Sequence, residues 1–441
     1  MRLLGESHKY HLDEYAQHKS QLPGRRLQWL TALREDAIKR FVALGFPTPR
    51  DEGWKYTNVA PIEKKRFTLP TIRAASAFDA SIVAGLALPG TSMLVFVDGR
   101  HVPELSSLRP LPVGAAVSSV AAMLETQPEE VEAAMTRATP RASTFTALNT
   151  AWMSDGLFVA LEAGVELVEP IHVLYLATTP DTATHTRNII VAGPNSRAAI
   201  IEQHAALTDA AYFTNVVTDI TIKRGARIEH HKVQDEGRAA FHIAAVTADV
   251  ARDGHFVSGS HAFGGVLARV GINVALNGEG AQCTLDGLYM PNSRQHIDHH
   301  TRIDHNQPRG TSRELYKGVM AGAGHGVFNG KIVVQPNAQR SDAEQTNRNL
   351  LLSDNAEVDT RPQLEIWADD VKCSHGATVG QLDVDQIFYL RSRGVDDASA
   401  RALLTYGFAA EMAERVSFAA LRDRIDALIR ARLPQPLEKL A

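Results

Sequence analysis

Two cysteines stand among the 441 residues, and one of them, Cys373, is followed two positions later by His375 in the run DDVKCSHGATVG, Asp369 to Gly380. On an extended strand, residues two apart share a face. A thiolate and an imidazole would then project together about 6.6 Å apart along the backbone, within reach of one inorganic cluster. Val371, Ala377 and Val379 fall on that same face, opposite Lys372, Ser374, Gly376 and Thr378. The apolar company leaves two readings open. In one, the cysteine is a small buried hydrophobe beside a hydrogen-bonded core histidine. In the other, a second subunit covers the face, and Lys372 favours the thiolate only if its charge comes near the sulfur. The other cysteine, Cys283, lies 90 positions away and no C-x-x-C occurs. A disulfide framework is therefore not expected, and a reducing cytoplasm is.

A second concentration of donors is HIDHHTRIDH, which packs four of the 18 histidines between His296 and His305. Read as a strand, it puts His296, Asp298, His300, Arg302 and Asp304 on one face. Arg302 among the donors opposes a cation, and such a row can satisfy itself by hydrogen bonds between neighbouring strands, so a structural role is expected. The glycine-rich MAGAGHGVFNGKI fails as a phosphate loop. His325 and Ile332 stand where a Walker A motif needs Gly and Ser or Thr, and Val327 stands where a dinucleotide fingerprint needs its third Gly. No nucleotide site is expected. There is no G-x-S-x-G, H-E-x-x-H or kinase signature. Asp369 and Asp370 are adjacent, so on a strand they point to opposite faces and cannot act jointly as acid and base.

These residues must be positioned by something, and the texture of the chain says what. Residues 24–46 read as an amphipathic helix closed by Gly45 and Pro47, with Leu30, Leu33, Ala37, Phe41 and Leu44 on its stripe. MLVFVDGRHV reads as a strand pair turning at Asp98-Gly99, and Pro128 starts a new helix within SVAAMLETQPEEVEAAM. From about Leu157, short β-branched runs alternate with turn residues. Gly164, Asn195, Gly225, Asp253, Gly278, Pro308 and Asn337 mark breaks 25 to 31 residues apart. A β-sandwich turns every ~8–12 residues, so the longer interval favours a parallel β-helix whose coils stack on one core. After Asp383 the chain is helical again: QIFYLRSR stops at Gly394, Asp396 or Asp397 caps a long helix, and Ser417 caps a third. That third helix carries Leu421, Ile425, Leu428 and Ile429 on one stripe. The division expected is 1–155 mixed and mainly helical, 156–383 parallel β-helix, and 384–441 helical. A net charge of −4 gives no electrostatic case for nucleic acid or an anionic membrane. The most apolar window, Ala74 to Gly90, is interrupted by Asp79 and ends in Pro-Gly, too short to span a bilayer; the N-terminal run MRLLGESHKY lacks a secretory apolar core.

SRELYKGVMAG (312–322), VFNGKIVV (327–334), the run from Asp342 to Asp383 containing KCSHGATVG, and FYLRSRGV (388–395) together resemble the SufB/SufD family of iron–sulfur cluster assembly proteins. GFPTPRDEGWKYTNV (45–59) is similar to that family's N-terminal signature. Within the family the SufD type is the better match, because Gly376 follows His375 where the SufB type has Glu. The resemblance implies a right-handed parallel β-helix between helical ends. It implies pairing with a SufB-like paralogue through the β-helix and docking of a SufC-like ABC ATPase on the C-terminal helices, with ATP handled by that partner and no catalysis here. A homodimer is open to the isolated chain. His375 falls on the histidine, and Cys373 on the nearby cysteine, of a transient iron–sulfur cluster site shared between subunits, with His375 favoured. No residue points to a flavin site. Two other readings stay open: a β-helix carbohydrate-active enzyme, which would need convergent carboxylates in a groove, and a SufB-type scaffold that holds the cluster alone.

Overall fold

A computed structural model describes residues 6–71, 80–137 and 143–434. Its centre is a parallel β-solenoid built from two facing sheets. Successive strands alternate between them, so each coil of about thirty residues contributes one strand to each sheet. The pairing is parallel and one coil apart, as where Leu267–Leu276 lies alongside His296–His305 in unbroken register. Odd and even positions therefore keep their faces from coil to coil. Ala244, Val246, Val270, Ile272, Ile297 and Ile303 from one sheet meet Ile200, Ile228, Phe256, Cys283 and Tyr316 from the other in one contiguous core. Each large apolar side chain taken from water there contributes roughly 1.5–3 kcal/mol. Gly287 is required inside: a Cβ at that position would come 2.1 Å from the ring of Tyr316 on the next coil.

One corner of the coil shows why the turn residues recur. Gly164, Asn195, Gly225, Asp253, Gly280, Arg309 and Arg340 all adopt positive φ. Each donates its backbone N–H to a carbonyl in the turn of the following coil, as Asn195 does to Arg224 O at 2.9 Å and Arg309 to Gln339 O at 2.9 Å. The corner amides thus form their own ladder alongside those of the sheets. The sequence reading placed three of these corners at Gly278, Pro308 and Asn337; the left-handed residue is two, one and three positions further on. A corner needs one left-handed residue, and Arg309 and Arg340 fill it without the usual Gly or Asn signature.

Helical layers cover both outer faces. Asp98 and Gly99 have positive φ and join the Ser92–Val97 strand to Arg100–His101, and Ser92–Val97 extends one sheet by pairing in parallel with Ile171–Ala177. The helix predicted over 24–46 spans Gln28–Leu44, with Gly45 at φ 68 ending it. Leu44 turns away from the stripe and is exposed. Pro128 opens Pro128–Arg137 as expected. Phe41, Phe145, Leu148 and Trp152 pack with Phe213, Phe241, Ile243 and Leu267 on the outside of the nine-stranded sheet. On the opposite flank, the helices Asp397–Glu414 and Ala419–Arg430 lie on the ten-stranded sheet. Met412, Leu421, Ile425 and Ile429 bury against Val233, Phe263, Leu288 and Val319 there. The first coil is covered by Val120, Met123 and Leu124 against Phe158 and Ile189. Of the apolar window around Ala74–Gly90, residues 74–79 lie outside the described residues and Ala80–Leu86 is a short helix. Among the described residues no helix is long and apolar enough to cross a membrane.

Candidate functional site

The last coil is built from the strands Glu357–Ile366 and Lys372–Gly380, which stand at the ends of the two sheets and pair on one side only. Where earlier strands are mostly buried, nearly every residue of Lys372–Gly380 is exposed. Its register answers which face carries the thiol and imidazole. Cys373 lies over Ala343, His375 over Gln345 and Ala377 over Asn347, and these three partners are 0–1 % exposed inside the solenoid. Cys373, His375, Ala377 and Val379 therefore continue the interior face to a point where no further coil covers it. Both sequence readings of the pair hold a part of this geometry: the face is the core face, and it is open.

Facing them across the open end is the inward row of the other sheet, Thr360, Pro362, Leu364 and Ile366, stacked on Phe328, Gly330, Ile332 and Val334. Trp367, at the end of that strand, is 66 % exposed. The floor beneath is polar. Gln345 donates to Glu314 Oε2 at 2.5 Å, and burial pushes the Glu314 carboxyl up to about 7. Beside it Tyr289 donates to Asn349 at 2.5 Å and Asn349 donates to Asn347 at 2.5 Å. His375 makes no hydrogen bond or ion pair with any described residue and stands in solvent. Cys373 is half-buried, and burial raises its thiol, with the Asp342 charge adding to the effect against a backbone hydrogen bond at Ala343. Lys372 points outward and takes no part, so the chain alone holds this sulfur as a thiol. The arrangement offers a neutral thiol and a free imidazole on a rigid strand, at a rim whose unpaired backbone groups invite another chain.

The other sequence candidates fall elsewhere. HIDHHTRIDH is one strand, His296–His305, and its outward His/Asp/Arg row pairs largely within the chain. The Arg269 guanidinium and the Thr57 hydroxyl both bond the fully buried Asp298. His300 Nε2 lies 3.2 Å from Asp298 Oδ1, Arg302 pairs with Asp304 at 2.7 Å, and His296 meets His325 at 3.2 Å. Cys283 is deep in the core, its thiol raised well above the usual range by burial. MAGAGHGVFNGKI is a strand end, a turn through Gly322 at φ 64, and the next strand. Asp369 and Asp370 are exposed at the final corner.

Two features differ from expectation. The apolar stripes of the last two helices, on which the resemblance implied that an ATPase docks, are buried on this chain's own sheet; what remains uncovered is the helix Val384–Ser392, with Val384 at 74 % and Phe388 at 71 % exposure. Inside the solenoid, sequence reasoning missed a polar column. Glu202 accepts from Lys232 Nζ, from His204 Nε2 at 2.7 Å and from His230 Nε2 at 3.0 Å, all of them buried. The signal was present in RAAIIEQHAA and RIEHHKVQD, where Ala198 and Ile200 share parity with Glu202 and His204, and Ile228 with His230 and Lys232.

Comparison with known proteins agrees with this architecture. Residues 175–408 match the family described as SUF system FeS cluster assembly, SufBD core domain, and residues 5–173 match the SufBD protein N-terminal region. The chain is 33% identical to the iron–sulfur cluster assembly protein SufD of Escherichia coli over 90% of its own length and 92% of that protein's. It is 32% identical to an iron–sulfur cluster assembly SufBD family protein of Synechocystis, covering 89% and 88%. The SufD of Bacillus subtilis is more distant, at 26% over 64% of this chain and 65% of the relative.

Proposed function

The chain belongs to the SufBD family of iron–sulfur cluster assembly proteins, and from that premise we propose that it is a non-catalytic SufD-like scaffold subunit working in the cytoplasm. Its open end pairs with a SufB-like paralogue, and a transient iron–sulfur cluster forms at the joint. The observation that carries this reading is the uncovered last coil, where core-face residues Cys373, His375, Ala377 and Val379 end in solvent beside two unpaired strand edges. A cluster normally takes four thiolate or thiolate-plus-imidazole ligands. Cys373 and His375 supply at most two, so a partner must complete the set, and an incompletely held cluster is one that can be passed on. Iron and sulfide are here the cargo, not a resident cofactor.

In the co-purified complex, His375→Ala is expected to lower iron and acid-labile sulfide per complex at least tenfold. Assembly of the complex should be unaffected, since the side chain holds nothing in the fold. Cys373→Ser is expected to have a smaller effect. Unchanged metal and sulfide in the His375 variant would remove this residue from the site. A stable visible-absorbing cluster on the isolated chain would favour the SufB-type reading instead.

An ATPase partner belongs to the same proposal. The apolar rim of Val384–Ser392, with Phe388 and Tyr389 outward and only Ile387 buried, supports docking of a SufC-like ABC ATPase on this first C-terminal helix rather than on the two helices behind it. Phe388→Asp is expected to weaken ATPase capture by more than tenfold while leaving the thermal transition of the chain unchanged. Full retention of the ATPase by that variant would move the docking surface away from this helix.

A further inference from the structure

We propose that His204, Glu236 and His242 form a binding site, inside the solenoid and apart from the open end, for one divalent first-row transition cation of the zinc or iron(II) class. The three side chains come from separate coils, and their donor atoms lie within 4.8 Å of one another. His204 sits on Arg197–Ala206, Glu236 directly follows Arg227–Asp235, and His242 is on Phe241–Val250. All three are buried, at 1 %, 6 % and 0 % exposure. The two histidines are fixed on strands, which position donors more rigidly than loops do, and Glu236 lies in the turn that follows its strand.

The His242 ring is set up in a way that ordinary core packing leaves unexplained. His242 Nδ1 pairs with Glu236 Oε2 at 2.6 Å, while Nε2 of this fully buried ring has no partner among the described residues. An imidazole buried in that state costs free energy unless something else binds it. His204 gives Nε2 to the Glu202 carboxylate at 2.7 Å, which leaves Nδ1 as its ligand atom; a carboxylate behind an imidazole in this way orients metal-bound histidines. The Glu236 carboxylate is held by Thr214 Oγ1 at 2.7 Å and Gln234 Nε2 at 3.0 Å. A small cavity of about 20 Å³ touches His204 and Glu236, together with Thr214 and Tyr175, but does not reach His242. The local charge favours a cation: Glu202 and Glu236 oppose one ammonium, Lys232, which is itself bound to Glu202. Two imidazoles and a carboxylate form a borderline donor set that suits zinc or iron(II) and leaves a coordination position open. Glu236 also borders a surface groove of about 750 Å³ between Arg238 and Arg432, which gives a route in from solvent.

The test is metal content of the full chain after refolding with zinc, with cobalt(II), or anaerobically with iron(II), followed by gel filtration. About one equivalent per chain is expected with at least one of these ions, and the retained ion distinguishes the zinc from the iron reading. Cobalt in the Cys373→Ser chain should show ligand-field bands of nitrogen and oxygen coordination with no sulfur charge-transfer band. His242→Gln should weaken binding by at least tenfold, and Glu202→Gln by about tenfold or more through loss of the orienting carboxylate. Cys373→Ser and His375→Ala should keep the full equivalent, so failure of the cluster reading and failure of this one are separable. Sub-stoichiometric metal with all three ions overturns the site. So does a sulfur band in the cobalt spectrum of the Cys373→Ser chain, a readout that stands even if the His242 variant does not fold.

Discussion

Acidification from pH 7 to pH 5 is expected to remove most of the stability of this chain, through its buried histidines. Burial depresses His172, His299 and His305 to about 4 and His185 and His261 to about 3. Their surroundings fit neutral rings. Ser260 and Ser312 hydroxyls meet His299 and His305 at 2.9 Å, the Asn215 amide donates to His185, and neither nitrogen of His261 has a hydrogen-bond partner. The unfolded chain binds a proton on each ring near pH 6.5. Because the folded value lies lower, the stabilising contribution is complete above ~6.5 and is lost as pH falls toward the folded value, at about 1.4 kcal/mol per pH unit per histidine. At pH 5 five such groups together forfeit on the order of 10 kcal/mol, comparable to the whole stability of an ordinary domain. Glu314 works in the other direction. Its carboxyl, raised to about 7, contributes stability that is complete below the unfolded carboxyl value and is lost as pH rises through 7, but it is one group against five. Urea midpoints measured from pH 8 to pH 5 check this: a steep decline starting just below 6.5 is expected, and a flat profile to pH 5 would show that the interior histidines titrate normally.

That so many histidines and charges sit inside a β-solenoid marks the boundary of what the sequence discloses. Period-two alternation was enough to put Cys373, His375, Ala377 and Val379 on one face and to make His296–His305 a strand, because the side-chain period of a strand is fixed by covalent geometry. Asp98-Gly99 announced its turn and Pro128 the start of its helix through backbone restriction alone. The thirty-residue interval gave the parallel coil. What covers a face is a different matter. Leu421, Ile425 and Ile429 form a stripe whether they lie on this chain or another, and only three-dimensional packing put them on Val233 and Phe263. The same ambiguity made KCSHGATVG unreadable as core or surface, since it is core geometry without a covering coil. The polar column was hidden for another reason. Glu202 and Lys232 are thirty residues apart, and each sits in a run whose even positions begin apolar and end charged, so neither strand by itself names its partner.

Lys232→Met is expected to cost about 3–5 kcal/mol of stability, because it leaves the Glu202 carboxylate buried without its cation. Glu202 would keep the imidazoles of His204 and His230, the Asn188 amide at 3.2 Å and the Thr218 hydroxyl at 3.2 Å, which hold a neutral group as readily as a charged one. The pair Glu202→Gln with Lys232→Met should recover a good part of the loss, since both desolvation penalties disappear together and an apolar stem fills the lysine's space. Urea unfolding of the single and double variants measures both steps, and equal loss in the two would mean that Lys232 acts by packing and not by charge. The comparison bears on function through register. Parallel coils with a uniformly apolar interior can slide by two residues and keep every side chain on its face. Sliding Arg197–Ala206 against Arg227–Asp235 would set Glu202 against His230 or Gln234 in place of Lys232, stranding both charges. The ion pair penalises that slip heavily, and each later coil takes its register from the one before, through Gln345, to His375 at the open end.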